Sequence, residues 1–289
     1  MSSVIWKSEA GRQRLTRQYD VFLAKLRSEA SVKEVDTRFG SGTVLTLGPE
    51  DAPRIVCLHA MRTGAPMLLS ELLKLSETAR LIVPDLPGQS VRGANVRLSL
   101  HDESYAHWLA DVMDVMRLES ARIFGVSWGG WVGRMMANTY ADRVEKLALL
   151  VPAGIVRGSV FGQLLKMTPK LIRYRFSPTR PNLETLIEPL ATELDDAWLD
   201  FMHTATNDWK VDPRLPPLAS DERLRAIKCP VFAIAADNDI SFPGQALLER
   251  IAETLPSAKR ELIRDCKHCP PTTEEFRSWL CDVLMKFFA

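Results

Sequence analysis

Apolar residues recur along this chain with two alternating periods. Between residues 8 and 29, Leu15, Tyr19, Phe22, Leu23 and Leu26 fall at helical spacing, which predicts an N-terminal amphipathic helix ahead of any strand. Residues 32–39 and 43–47 read as a β-hairpin around Gly40-Ser41-Gly42, followed by the turn cluster Gly48-Pro49-Glu50-Asp51-Ala52-Pro53. Short apolar strands are then expected at 54–59, 80–84, 121–126 and 144–151, with helices at 66–76, 102–117 and 128–140 between them. Such alternation predicts βαβ units and an α/β fold built on a doubly wound, mostly parallel sheet. From 152 to 228 the alternation stops. Helix-like stretches at 160–167, 182–190 and 195–207 are separated by prolines 169, 178, 181, 189, 213, 216 and 217, with no clear strand among them, so this stretch reads as a helical insertion. Buried strands resume at 231–236 and 259–263, and an amphipathic helix at 272–288 closes the chain. The expected organisation is an N-terminal helical segment (1–31), a sheet-bearing core (32–151 and 229–289) and the insertion (152–228).

Composition narrows the partners more than the fold. With 289 residues, 46% hydrophobic and 25% charged, the chain can bury a large core. A net charge of only +1 argues against nucleic acid or another polyanion. The first eighteen residues mix Lys7, Arg12, Arg14 and Arg17 with polar positions and lack an apolar export core, and no run reaches the ~20 apolar residues of a membrane span. A soluble, cytoplasmic protein with no membrane partner is expected. Five cysteines, an odd number spread through a long chain, argue against a disulfide framework. Oligomeric state is not legible.

The segment Gly125-Val126-Ser127-Trp128-Gly129 carries the chemistry. It places a serine between two glycines, straight after an apolar strand and straight before a helix whose small residues Gly129, Gly130, Gly133 and Ala137 allow close approach to a sheet. This is the pattern of a nucleophile elbow, in which the serine hydroxyl is pushed out of the sheet and the amide of the next residue, Trp128, faces a developing oxyanion. A serine is a weak nucleophile without a base to take its proton and a carboxylate to orient that base. Asp239 follows the 231–236 strand and His268 follows the 259–263 strand, so Ser127, Asp239 and His268 all lie just beyond strands and can converge at one sheet edge. Their chain order is the one expected for this elbow. Asp237 is the competing acid, and its position at the strand end favours Asp239.

On these residues the chain resembles the α/β-hydrolase superfamily with a helical cap, and within it bacterial serine carboxylesterases, from about residue 37 to the end. Leu58-His59-Ala60-Met61 resembles the family's His-Gly oxyanion loop and Asp85-Leu86-Pro87-Gly88 its D-x-x-G segment. The resemblance implies Met61 as the second oxyanion amide beside Trp128. Two positions depart from the family pattern: Ala60 stands where glycine is usual, and Gln89-Ser90 replaces His-Gly. Alanine requires a negative φ or some strain where glycine is free.

The implied reaction is acyl transfer from a small-molecule ester to water, with no metal, nucleotide or organic cofactor. A serine at the elbow argues against the haloalkane dehalogenases and epoxide hydrolases of the superfamily, which use aspartate there. A carbon–carbon bond hydrolase, lyase or cofactor-free oxygenase would use the same serine and histidine, and a ligand receptor would use the pocket without turnover. Trp198, Phe201, Met202 and Trp209 are candidates for a pocket wall, against ordinary helix packing as the plainer reading. Arg62 could bind a carboxylate or be a solvated arginine. Cys266-x-x-Cys269 has the spacing of a redox or metal pair, but a zinc site needs four ligands and this loop already carries His268.

Overall fold

The computed structural model describes residues 3–26 and 30–289. Helix α1 (Glu9–Lys25) begins where the Ser8 hydroxyl accepts the Gly11 N–H, a side-chain cap that satisfies one of the free amides of the first turn. The sequence predicts this helix as far as residue 29, and 27–29 lie outside the described residues. Strands β1 (Ser31–Thr37) and β2 (Gly40–Leu47) pair antiparallel with Thr37 opposite Gly40, so the turn is Arg38-Phe39 and the expected Gly40-Ser41-Gly42 turn lies inside β2. The cause is long-range. The Arg38 amide and guanidinium both bond Asp111, far along the chain, and Gly40, the first residue after the turn, takes a φ of 111° that a residue with a side chain rarely adopts.

Beyond the hairpin come β3 (Arg54–Leu58), α2 (Ala65–Ser70), β4 (Arg80–Pro84), α3 (Ser104–Val115), β5 (Ala121–Val126), α4 (Trp128–Thr139) and β6 (Val144–Leu150). The helix expected over 66–76 stops at Ser70. A short turn and a 3-10 segment replace its second half, which lets Leu69, Leu72 and Leu75 all reach the core. The stretch 152–228 holds α5 (Val160–Phe176), α6 (Arg180–Ile187), α7 (Asp196–Asp208) and α8 (Asp221–Arg225); α5 runs on through Pro169, past its expected end. After it follow β7 (Val231–Ala236), α9 (Gly244–Thr254), β8 (Lys259–Ile263) and α10 (Glu274–Phe288). Helices α8 and α9 are additions to the sequence-based expectation, although Leu247 and Ile251 stand four apart and are both buried.

The eight strands form one sheet in the order β1-β2-β4-β3-β5-β6-β7-β8, parallel from β4 to β8. Side chains alternate across it. In β7, Ala233 and Ala235 join the face covered by α3, α4 and α9, whereas Phe232, Ile234 and Ala236 join the face covered by α1, α2, α7 and α10. Burial on both faces explains why these strands read as continuous apolar runs. A third, small cluster of Tyr174, Leu183 and Leu186 holds α5 to α6.

Candidate active site

The parallel strands β3, β5, β7 and β8 end on one edge, and the loops leaving that edge carry Met61, Ser127, Asp239 and His268. At the end of β5 the chain turns directly into α4. Ser127 takes φ 50° and ψ −108°, a conformation that side-chain-bearing residues rarely adopt, and its N–H donates to the Leu150 carbonyl at 2.9 Å. The turn exists because of its flanks: a Cβ on Gly125 would sit 2.5 Å from the Gly129 carbonyl oxygen, and one on Gly129 would sit 2.1 Å from the Leu58 oxygen. Close backbone contact on both sides therefore holds Ser127 in its strained state.

Ser127 Oγ lies 3.1 Å from His268 Nε2, and His268 Nδ1 lies 2.7 Å from Asp239 Oδ2. Asp239 is buried, and its other oxygen accepts the N–H groups of Ser241 (2.7 Å) and Phe242 (3.0 Å). An ionised carboxylate only accepts, so the proton between it and the ring belongs to Nδ1. Nε2 is then left as the acceptor facing the serine hydroxyl. The Phe242 ring packs edge-on against the imidazole at 5.1 Å and limits its rotation. Asp237 is engaged elsewhere. Its oxygens accept the N–H groups of Asp265 and Cys266, both at 3.1 Å, bracing the loop that carries His268.

The Trp128 amide opens α4, where a first-turn N–H has no partner within the helix, and among the described residues neither it nor the Met61 amide finds an acceptor. Ala60, in the loop after β3, has no positive φ; that conformation falls on Arg62, at 54°. The alanine is thus accommodated, and the loop is braced from below. His59 Nδ1 donates to the Ala60 carbonyl at 2.7 Å, His59 Nε2 accepts the Leu86 N–H at 2.9 Å, and the Gln89 side-chain oxygen accepts the Arg62 N–H at 3.1 Å. Gln89, which departs from the family pattern, is the residue that pins the end of the loop. Burial pulls the His59 pKa down to about 4. Although His59 Nε2 is 3.9 Å from Asp85, it points its lone pair at an N–H, so the pair is not ionic.

Asp85 does more than mark the loop motif. It is buried and accepts the Ala65 N–H at 2.9 Å and the Tyr19 hydroxyl at 2.8 Å, tying α1 to the loop beneath the site. Burial pushes its pKa up to about 6. Arg62 is partly buried, not a solvated arginine, and burial lowers its guanidinium pKa. Cys266 and Cys269 are free thiols whose pKa values burial raises to about 11 and about 12, the opposite of a reactive thiolate.

The four pocket-wall candidates pack as follows. Trp198 and Phe201 pack on Phe22 of α1 with ring centroids 5.2 and 6.3 Å away, Trp198 Nε1 donates to Glu71, and Trp209 is buried in the same cluster and bridges Trp6. Met202 packs on the α5–α6 cluster. The helical spacing that suggests a pocket wall is the spacing of a helix face buried against α1.

A family model described as the alpha/beta hydrolase family matches residues 55–277. The chain is 24% identical over 257 residues to the uncharacterized carboxylesterase nap of Bacillus subtilis (strain 168), covering 88% of this chain and 85% of that protein. To carboxylesterase YbfK of the same organism it is 23% identical over 266 residues, covering 88% and 87%. The crystal structure of the naproxen esterase of Bacillus subtilis superposes with a TM-score of 0.82 at 21% identity, over 98% of this chain and all of that one.

Proposed function

The chain belongs to the alpha/beta hydrolase family, and from that premise we propose that it is a serine carboxylesterase acting on a small carboxylic ester. The observation that carries this reading is the unbroken relay from Ser127 through His268 to Asp239 at 3.1 and 2.7 Å. The names of the two Bacillus relatives, both carboxylesterases, support the bond type. His268 Nε2 removes the hydroxyl proton as Ser127 Oγ attacks the ester carbonyl, and the carbonyl π electrons move onto oxygen. The amides of Trp128 and Met61 hold that oxyanion in place of water. As the tetrahedral state collapses, His268 returns the proton to the leaving alcohol and an acyl-Ser127 remains. Water, deprotonated by the same nitrogen, then releases the acid and restores the serine. Asp239 keeps the ring in the right tautomer and stabilises its cationic form. In this reading the helices between residues 152 and 228 form the cap over the sheet edge.

An alkyl fluorophosphonate tests the proposal. Stoichiometric phosphonylation mapped to Ser127, lost in His268→Ala, is the expected result. An unlabelled Ser127 in folded protein overturns it in favour of a binding role. Turnover of vinylogous β-diketone substrates in preference to 4-nitrophenyl esters would move the reading to carbon–carbon bond hydrolysis.

A further inference from the structure

Helix α5 is attached to the molecule by one face only. Tyr174 is fully buried and its hydroxyl bonds His203 and Asn207 at 2.8 Å, while Met167 packs against Leu183 and Leu186. The opposite stripe is apolar and uncovered. Phe161, Leu165 and Phe176 are 75%, 68% and 88% exposed, and Leu164, Leu171 and Ile172 stand out beside them at helical spacing.

Charge identifies what would cover it. Four basic residues, Lys166, Lys170, Arg173 and Arg175, lie on α5, and no acidic residue occurs from 146 to 183. The rest of the chain carries 33 basic against 36 acidic residues, so the small net positive charge of the whole is concentrated on this helix. Lys170 pairs with Glu188; among the described residues Lys166, Arg173 and Arg175 make no ion pair. Two copies meeting through this stripe would bring the unpaired Lys166, Arg173 and Arg175 of each together. An anionic surface that is also apolar just beneath its charged layer matches both features.

The helix is also placed to serve the site. Just before its start, the Gly158 N–H donates to the Ser241 carbonyl at 2.8 Å, and in its first turn Gln163 Nε2 donates to the Ile240 carbonyl at 2.8 Å. Ile240 and Ser241 directly follow Asp239. We propose that α5 lies flat on an anionic lipid surface, with Phe161, Leu165 and Phe176 among the acyl chains and its lysines and arginines at the headgroups. This brings the Ser127 edge next to lipid-borne esters. No described helix is long and apolar enough to cross a membrane, and lying on one is a different demand that α5 meets. Binding stands on α5 alone; its link to turnover rests on the esterase reading above.

Flotation of the full chain with phosphatidylcholine vesicles, with and without a quarter phosphatidylglycerol, tests it. Each exposed cation near an anionic surface adds ~1 kcal/mol, so three unpaired ones predict partitioning on the order of 100-fold stronger with phosphatidylglycerol, most of it lost at high salt. The variant Phe161→Ser/Leu165→Ser/Phe176→Ser should lose flotation by more than ~10-fold while still hydrolysing soluble 4-nitrophenyl acetate. Equal partitioning to neutral vesicles, or none to either, overturns the proposal. Concentration-dependent dimers in sedimentation, abolished by the same variant, would give the stripe to a second copy instead. Flotation of a protein inert toward every ester would leave the surface standing and remove the esterase reading; turnover without flotation would do the reverse.

Discussion

Ser127, His268 and Asp239 form a unit in which each hydrogen bond fixes the next, so their losses should not add. Ser127→Ala and His268→Ala are each expected to lower kcat/KM for a 4-nitrophenyl ester by at least ~10³-fold without unfolding, with the double variant scarcely worse. A single variant that keeps a tenth of the activity would place the nucleophile elsewhere. Asp239→Asn should cost up to ~10⁴-fold because the ring would then present the wrong nitrogen to the serine. Asp237→Asn should instead loosen the Asp265–Cys266 turn, with a lowered melting temperature and a far smaller loss of turnover. The reverse order of sensitivities would exchange the two acids. Beneath the site, two buried groups titrate in opposite senses. The folded pKa of His59, about 4, lies below its ordinary 6.5, so the unfolded chain takes up that proton first and the contribution is lost as pH falls from 6.5 to 4. The folded pKa of Asp85, about 6, lies above its ordinary 3.8, so its contribution is present at low pH and lost as pH rises through 6. Asp85→Asn removes the opposing contribution. Urea midpoints should therefore fall more steeply between pH 6.5 and 4 in this variant than in the wild type, and an equal or shallower fall would refute the assignment.

Among the elements, those whose signal is local are legible in the sequence and those set by distant partners are not. Strands β4, β5 and β7 match their expected ranges to the residue, because burial on both faces leaves an apolar run that needs no partner to be recognised; β8 matches as well, although its Lys259-Arg260-Glu261 start is largely exposed. The elbow is legible for the same reason: its glycines, serine and flanking strand lie within ten residues. The hairpin turn falls short of the glycines that suggest it because Asp111, more than seventy residues away, decides its place. The brace of Tyr19 on Asp85 is invisible in the sequence, since nothing near either residue announces a partner 66 positions distant. Helix α7 shows the ambiguity most clearly. Its aromatic face carries the same periodicity whether it lines a pocket or packs on a helix, and only the position of Phe22 decides. Phe201→Ala should accordingly cost ~3–5 kcal/mol of stability as a core truncation, a drop in melting temperature of about 10 °C for a chain this long. The ranking of acyl chain lengths in a 4-nitrophenyl ester series should stay unchanged. A shifted ranking with an unchanged melting temperature would return Phe201 to the pocket.

For the molecule as a whole, the N-terminal segment is part of the fold and not an appendage to it. Leu15, Tyr19 and Phe22 of α1 are at most 2% exposed, and they join the same core face as β7, α2 and α10. Arg14 grips Asp208 at the end of α7 through two nitrogens, the Lys7 amide and the Lys210 amide extend that contact, and Tyr19 reaches Asp85 in the loop after β4. The segment thus links the helices inserted after β6 to the base of the site. Removing residues 1–26 would strip Phe22 from Trp198 and Phe201, expose one side of α7 and leave the buried Asp85 carboxylate without its hydroxyl donor, which by itself costs ~1–3 kcal/mol. The expected result is a protein that binds the dye ANS, has lost a cooperative melt and hydrolyses no ester, although every triad residue is present. Tyr19→Phe separates the two contributions, because it keeps the apolar contact and removes only the hydrogen bond; it should melt cooperatively at a lower temperature with turnover largely retained. A truncated chain that melts within a few degrees of the full one would show that the sheet and its other helices suffice, and that α1 merely rests on them.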